Sequence, residues 1–261
     1  MTNSVTLGSV IRAEWIKFRS VRSTMWGYLV TLLLTWGIGI LITSAIRSQW
    51  ATFDPIRKLV FDPVSKSLAG TLFAQLAVGV IGVLFIASEY SSGSIRTTLS
   101  AVPNRTQLVL GKVIVLGVTT IIFCEIVCVG AFLIGQRIFS GVVPTASLAN
   151  GAVLRSVLFA GVYLTLLAIF GFSLGLIVRV QSAAISIFAS LLLVVPIVDF
   201  LLPLNWQTHI TKFQPSALGR AMMSTLPPDQ LFNAGTALAI LSAYVAVVFA
   251  AGLIIMNRRD A

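Results

Sequence analysis

The sequence is poor in charged residues, cysteine and histidine. Charged residues make up 10% of its 261 residues, and it contains two cysteines and one histidine. His209 alone, without an H-E-x-x-H pattern, excludes the usual zinc-peptidase site. Cys124 and Cys128 lie one helical turn apart in an apolar run, where a thiol normally packs as a small buried group. The sequence therefore predicts neither a disulfide nor a metal site.

A phosphate-binding loop is also missing. The only Gly-Lys pair, Gly111-Lys112, has Thr106 where the first P-loop glycine belongs and Val113 where Ser or Thr should follow. The segments between the apolar stretches are too short to form a soluble domain with its own core. We therefore expect no cofactor on this chain and no ATP site of the P-loop type.

Apolar residues dominate the sequence. They make up 57% of the chain, and the mean hydropathy is +0.98, far from the averages of soluble domains. Five stretches have membrane-spanning length, and a sixth is interrupted only by Arg155. Spanning segments of this kind must be helical because lipid offers the backbone no hydrogen-bond partners. The sequence predicts an all-α membrane protein with a single transmembrane domain, residues 1–261, and spans at residues 26–46, 68–87, 108–134, 153–178, 183–202 and 234–256.

The formal net charge of +10 is spread over nearly every loop. This distribution favours contact with anionic lipid headgroups over nucleic acid. Six spans place both termini on one side, and ten of the 18 Lys and Arg residues then share that side. The basic cluster before the first span and the Arg258-Arg259 pair favour cytoplasmic termini.

The segment before the first span predicts an amphipathic helix over residues 6–22. Its apolar residues Leu7, Ile11, Trp15 and Phe18 recur at helical spacing, and the basic residues lie off that face. This pattern is typical of a helix in the membrane interface. The alternative is a basic flank that only orients the first span.

The segment after the second span predicts a short helix over residues 91–102. Pro103 disfavours helix at the residue before it and so ends the segment. Ile95, Leu99 and Val102 form one apolar stripe, and a helix this short needs a partner surface. The alternative is a solvated linker. The residues available as N-caps are Ser91, Ser92 and Ser94.

Two stretches resemble the permease subunits of type-two ABC transporters, a class of small six-helix bacterial exporters. One is Ala13-Glu14-Trp15-Ile16-Lys17-Phe18-Arg19-Ser20. The other is Glu89-Tyr90-Ser91-Ser92-Gly93-Ser94-Ile95-Arg96, followed by Pro103, Arg105 and Gly111-Lys112. Glu89, at the membrane exit of the second span, needs a basic partner from its own loop or the amino-terminal arm.

The resemblance implies an elbow helix at residues 6–22 and a coupling helix at residues 91–102 that docks on a separate ATPase. That ATPase would bind ATP and Mg, and two permease chains, identical or different, would enclose one path in the bacterial plasma membrane. Apolar residues of the coupling helix would press into a cleft on the ATPase, and its arginines would pair with acidic groups there. The residues implied in this coupling are Glu89, Gly93, Ile95, Arg96, Leu99, Val102 and Arg105.

Two acidic residues lie at membrane depth. Glu125, in the third span, either lines a translocation path or makes a buried hydrogen bond. Asp199, near the end of the fifth span, is expected to cap a helix or reach the interface. Pro196 predicts a kink or irregular turn in that span.

Two further patterns concern packing and the region before the last span. Gly171 and Gly175 are spaced for close helix packing within the bundle. Residues 204–233 are too broken by proline to span the membrane and too apolar for a free loop, so they predict a pair of short re-entrant or interfacial helices. The ABC resemblance places the re-entrant segment of such permeases here.

Two other classes fit the hydropathy. An ATP-independent secondary transporter or channel predicts polar groups at the midplane and often a repeat between halves. Residues 1–130 and 131–261 show no convincing repeat, and Glu125 is the only clear midplane charge. A non-catalytic membrane assembly subunit needs neither feature.

Overall fold

The computed structural model describes residues 6–201, 203–226 and 231–258. All regular secondary structure in these ranges is helical, and six of the helices there are long and apolar enough to cross a membrane. In chain order the helices are α1 Leu7–Ser20, α2 Arg22–Gln49, α3 Pro55–Leu59, α4 Pro63–Ser67, α5 Thr71–Ser91, α6 Ser94–Ala101, α7 Arg105–Phe139, α8 Gly151–Val178, α9 Gln181–Ala189, α10 Val195–Phe200, α11 Leu204–Ile210, α12 Pro215–Met223 and α13 Ala234–Arg258.

The six candidate membrane-spanning helices are α2, α5, α7, α8, the α9–α10 pair and α13. The bundle therefore has two ends. We call the end that holds α1, α6, residues 179–180 and the last turn of α13 the termini end. The far end holds α3, α4, residues 140–150, α11 and α12.

Helix boundaries differ from the predicted spans where polar caps override hydropathy. Asn104 accepts a hydrogen bond from the Gln107 amide at 3.1 Å, so α7 starts before its apolar run. Its 35 residues extend about 52 Å at 1.5 Å per residue, well beyond the hydrocarbon thickness. Asn150 caps α8 in the same way, accepting from the Ala152 amide at 2.9 Å.

The centre of the bundle is the contact between α5 and α8. A Cβ atom at Gly82 would overlap the carbonyl oxygen of Ala168, and one at Gly171 would overlap the carbonyl oxygen of Gly79. The predicted packing role is confirmed: Gly171 lies against Gly79, and Gly175 lies against Val83 and Ile86, all on α5. Both cysteines lie buried in the same core, as predicted.

The fifth span is irregular, as Pro196 predicts. A π turn, Ser190–Val194, joins α9 to α10, and Pro196 lies in the first turn of α10. The wider turn accommodates a proline ring that would otherwise clash with the preceding carbonyl. Asp199 is buried and accepts a hydrogen bond from the Thr211 hydroxyl. Within residues 6–201, 203–226 and 231–258 it therefore fastens the next segment and caps no helix. Leu202, the predicted end of this span, lies outside the described residues.

The predicted pair of short helices before the last span is present as α11 and α12. The second of them is part of the core: Leu218 and Met222 are fully buried against the bundle. Gly219 lies directly against the ring of Tyr163 on α8. Pro227 and Pro228, which also motivated this prediction, lie outside the described residues, as does Arg259.

Candidate functional site

Helix α1 presents a mixed face to the bundle. Val10, Glu14 and Phe18, four residues apart, are its buried residues. Of the predicted stripe, Phe18 is buried against the bundle, whereas Leu7 is 37% exposed and Trp15 is 43% exposed. Ile11, at intermediate exposure, packs at the edge of the same apolar cluster as Phe18.

Four charged residues meet beneath this face, and we call them the charge cluster: Glu14, Lys17, Glu89 and Lys112. The Lys112 ammonium donates to Glu14 Oε2 at 2.8 Å and to Glu89 Oε1. Lys17 donates to the same Glu89 oxygen. The expected basic partner of Glu89 is thus supplied by the amino-terminal arm, and a second by the first turns of α7.

The charge cluster balances two acids against two bases, and every member except Lys17, whose side chain is 42% exposed, is buried. Lys112 is 0% exposed, Glu89 3% and Glu14 5%. Lys112 also lies 5.8 Å from the centroid of the Phe85 ring. A buried charge without a partner costs several kcal/mol, so each of these groups depends on the others. The cluster joins α1, the end of α5 and the start of α7.

The predicted short helix is present as α6, but it begins differently. Gly93 is its N-cap, with φ +72, and no side chain caps it. The serines expected as N-caps instead end α5 or begin α6 itself: Ser91 is the last residue of α5, and Ser92 follows it. The end at Ala101 agrees with the expected effect of Pro103.

The apolar stripe of α6 packs to different degrees against its own bundle. Ile95 is only 3% exposed, and Leu99 and Val102 pack against the same apolar cluster. That cluster also contains Phe18 and Leu108. Ile95 therefore faces its own bundle, while Leu99 and Val102 remain partly exposed.

The opposite face of α6 is polar and exposed. Arg96, Thr97 and Ser100 all lie at the surface. Arg105, the other predicted docking arginine, donates to the Met256 carbonyl at 2.8 Å and so ties α7 to the end of α13. Among the predicted coupling residues, Arg96 is the exposed charge.

Glu125 lies apart from this region, within α7. It is half-buried, and a Cβ atom at Gly161 would overlap its carboxyl group. Within the described residues its Oε2 is buried and has no hydrogen-bond partner. No hydrogen bond or ion pair to this acid is therefore found in the part of the chain that the structure describes.

The sequence predicts no role for Glu14 or Lys112, although both belong to the charge cluster. A signal for Glu14 does exist: Val10, Glu14 and Phe18 are four residues apart, so the acid shares one helix face with two apolar residues. Lys112 has a weaker signal, as a single base just inside a long apolar run. Their contact joins positions 98 residues apart, and periodicity within one helix carries no information on such a pairing.

The fold defines the chain as a helical protein with six candidate membrane spans, the class of multi-pass membrane proteins. A family model described as protein of unknown function (DUF2705) matches residues 56–261. The chain belongs to this DUF2705 family. The match covers Glu89, α6 and Lys112 but begins after α1 and α2. No curated protein matches the chain.

Proposed function

We propose that this chain is the membrane-spanning permease subunit of an ATP-driven ABC exporter. A separate ATPase chain binds ATP and Mg, and two permease chains, identical or different, enclose one path through the bacterial plasma membrane. Substrate moves outward by alternating access. Both termini, and with them α6, are cytoplasmic, and this chain itself carries out no catalysis.

The observation that carries the proposal is the two-sided surface of α6. Its apolar face is held in the bundle by Ile95, and its polar face exposes Arg96, Thr97 and Ser100. A soluble partner bound to the polar face would push on α6 from outside. Because Ile95 shares a buried cluster with residues of α1 and α7, such a push would reach the membrane spans directly.

The charge cluster supports the same role. Glu89 stands four residues before Gly93, the N-cap of α6, and is bound to Lys17 and Lys112. These ion pairs fasten the end of α5 to α1 and α7. Movement of α6 is therefore transmitted to three helices together and is not absorbed by a loose loop.

The test is purification of the tagged chain in mild detergent, followed by identification of accompanying proteins. We expect a P-loop ATPase with the natural protein, and its loss in the double variant Arg96→Glu/Ser100→Asp, which changes only exposed positions. Arg137→Glu, at the exposed far end of α7, is the matched control and should retain the ATPase.

Two results contradict the proposal in different ways. If no ATPase accompanies the intact natural protein, the chain is an ATP-independent transporter, a channel or an assembly subunit. If the ATPase stays bound to the double variant, the exporter assignment survives, but the docking surface is not the polar face of α6.

A further inference from the structure

At the far end, Asp62 organises a tight polar junction. It is 6% exposed and caps α4 by accepting from the amides of Val64 at 2.9 Å and Ser65 at 3.3 Å. It also accepts from the Thr225 amide and hydroxyl, both at 2.9 Å, and from the Ser224 hydroxyl at 3.1 Å. The segment after α12 is thereby fixed against the start of α4.

A cavity of about 350 Å³ lies beside this junction, within the range of about 300–1,000 Å³ that is usual for small-molecule sites. Leu72, Met223 and Leu231 supply apolar lining, and Lys66 and Arg220 also line it. The cavity thus combines a cationic part with an apolar part.

The two cationic side chains are not neutralised by neighbours. Lys66 and Arg220 are exposed, and neither side chain makes a salt bridge or a hydrogen bond within the described part of the chain. Asp62, four residues before Lys66, has both carboxylate oxygens occupied by amide and hydroxyl donors. Two cations of this kind suit a phosphate group, to which Arg and Lys make strong charge-assisted hydrogen bonds.

The neighbouring α3 has the character of a membrane interface. Ile56, Leu59 and Val60 are 75%, 82% and 68% exposed although they lie outside the six spans. Arg57 and Lys58 stand among them. Exposed apolar side chains mixed with basic ones are typical of segments at the level of lipid headgroups.

We propose that the cavity binds a phosphate-bearing lipid. Its phosphate lies between Lys66 and Arg220, and its acyl chain lies against Leu72 and Met223. This site goes beyond the proposed exporter function and does not depend on it, since no ATPase is required for binding.

The test uses the full chain in mild detergent and native mass spectrometry with phosphatidylglycerol and phosphatidylcholine of identical acyl chains. We expect phosphatidylglycerol to bind preferentially, and the double variant Lys66→Gln/Arg220→Gln to bind it at least about tenfold more weakly. Arg137→Gln removes an exposed cation at the same end but outside the cavity, and should bind like the natural protein.

A variant that fills the cavity distinguishes lipid binding inside the cavity from general attraction of an anionic lipid to surface charge. Ala69 lines the cavity, and Ala69→Trp keeps both cations but should also lower binding. Equal binding by the double variant and the natural protein overturns the proposal, as does equal affinity for phosphatidylcholine. Displacement of the lipid by inorganic phosphate at equal concentration would show that no acyl chain is recognised. If Ala69→Trp fails to fold, the double variant, changed only at exposed positions, still decides.

Discussion

Lys112 is the residue on which three helices of the termini end converge. It serves two carboxylates at once and is fully buried. Replacing it by an apolar side chain of similar length leaves Glu14 and Glu89 facing each other without a counter-charge beyond Lys17. The contribution of a charge to stability depends on its burial. Replacing Lys112 and replacing Lys17 should therefore lower the free energy of unfolding by very different amounts.

Lys112→Met should destabilise the protein by roughly 3–5 kcal/mol, the usual effect of removing one partner of a buried ion pair. Lys17→Gln should cost less than about 1 kcal/mol, because the Lys17 side chain is 42% exposed. Thermal unfolding in detergent measures both. Equal losses for the two lysines would show that the charge cluster is hydrated and not dry.

The substitution of Glu by Gln can be compared at Glu89, in an ion-pair cluster, and at Glu125, within a candidate span. Glu89→Gln removes the negative charge of a carboxylate whose Oε1 is shared by two ammonium groups, and should cost roughly 3–5 kcal/mol. Glu125→Gln removes no ion pair found in the described residues, and the midspan position gains by losing an ionisable group. Its unfolding temperature should stay equal or rise. A large loss at Glu125 would reveal a partner supplied by another chain or by a bound ligand.

At the scale of helices, the sequence predicts where helices lie, because the lipid requires them. It does not predict which helix faces contact one another. Lipid demands helices of a minimum length, so hydropathy identifies all six spans. Pro103 and the stripe headed by Ile95 locate α6 for equally local reasons. The stripe shows that some surface must cover it, but not which one. The answer, its own bundle, depends on the arrangement of α1 and α7, which no local pattern encodes.

The contact between α5 and α8 brings the two backbones so close that an added methyl group has no room. Gly82→Ala places a methyl group on the Ala168 carbonyl, in a backbone contact that cannot relax by rotating a side chain. We expect aggregation or a fall in unfolding temperature corresponding to at least about 2 kcal/mol.

Gly37→Ala is the control for this change. Gly37 lies in α2, is exposed, and has no atom within 4 Å of an added Cβ. Alanine there should be neutral or stabilising by about 0.5–1 kcal/mol, because it has the higher helix propensity. Both variants are compared by fluorescence-detected gel filtration with heating. A Gly82→Ala protein as stable as Gly37→Ala would mean that α5 and α8 pack less closely than described.

For the whole molecule, orientation in the membrane decides whether α6 can meet an ATPase. Charge counting gives a small margin, ten of 18 basic residues on the side of the termini, so labelling is the stronger measurement. Ser100 on α6 and Thr145 between α7 and α8 are exposed at opposite ends of the bundle. Cys124 and Cys128 are fully buried and should react little with a maleimide.

With cytoplasmic termini, a membrane-impermeant maleimide should label Thr145→Cys in intact cells and Ser100→Cys only after the membrane is opened. The expectation rests on the basic residues that flank the first and last spans at the termini end. The reverse pattern would place the polar face of α6 outside the cell, where ATP and an ATPase are absent, and the exporter proposal would fail with it. Lipid binding at Lys66 and Arg220 would survive that outcome, because the cavity requires only headgroups at the far end.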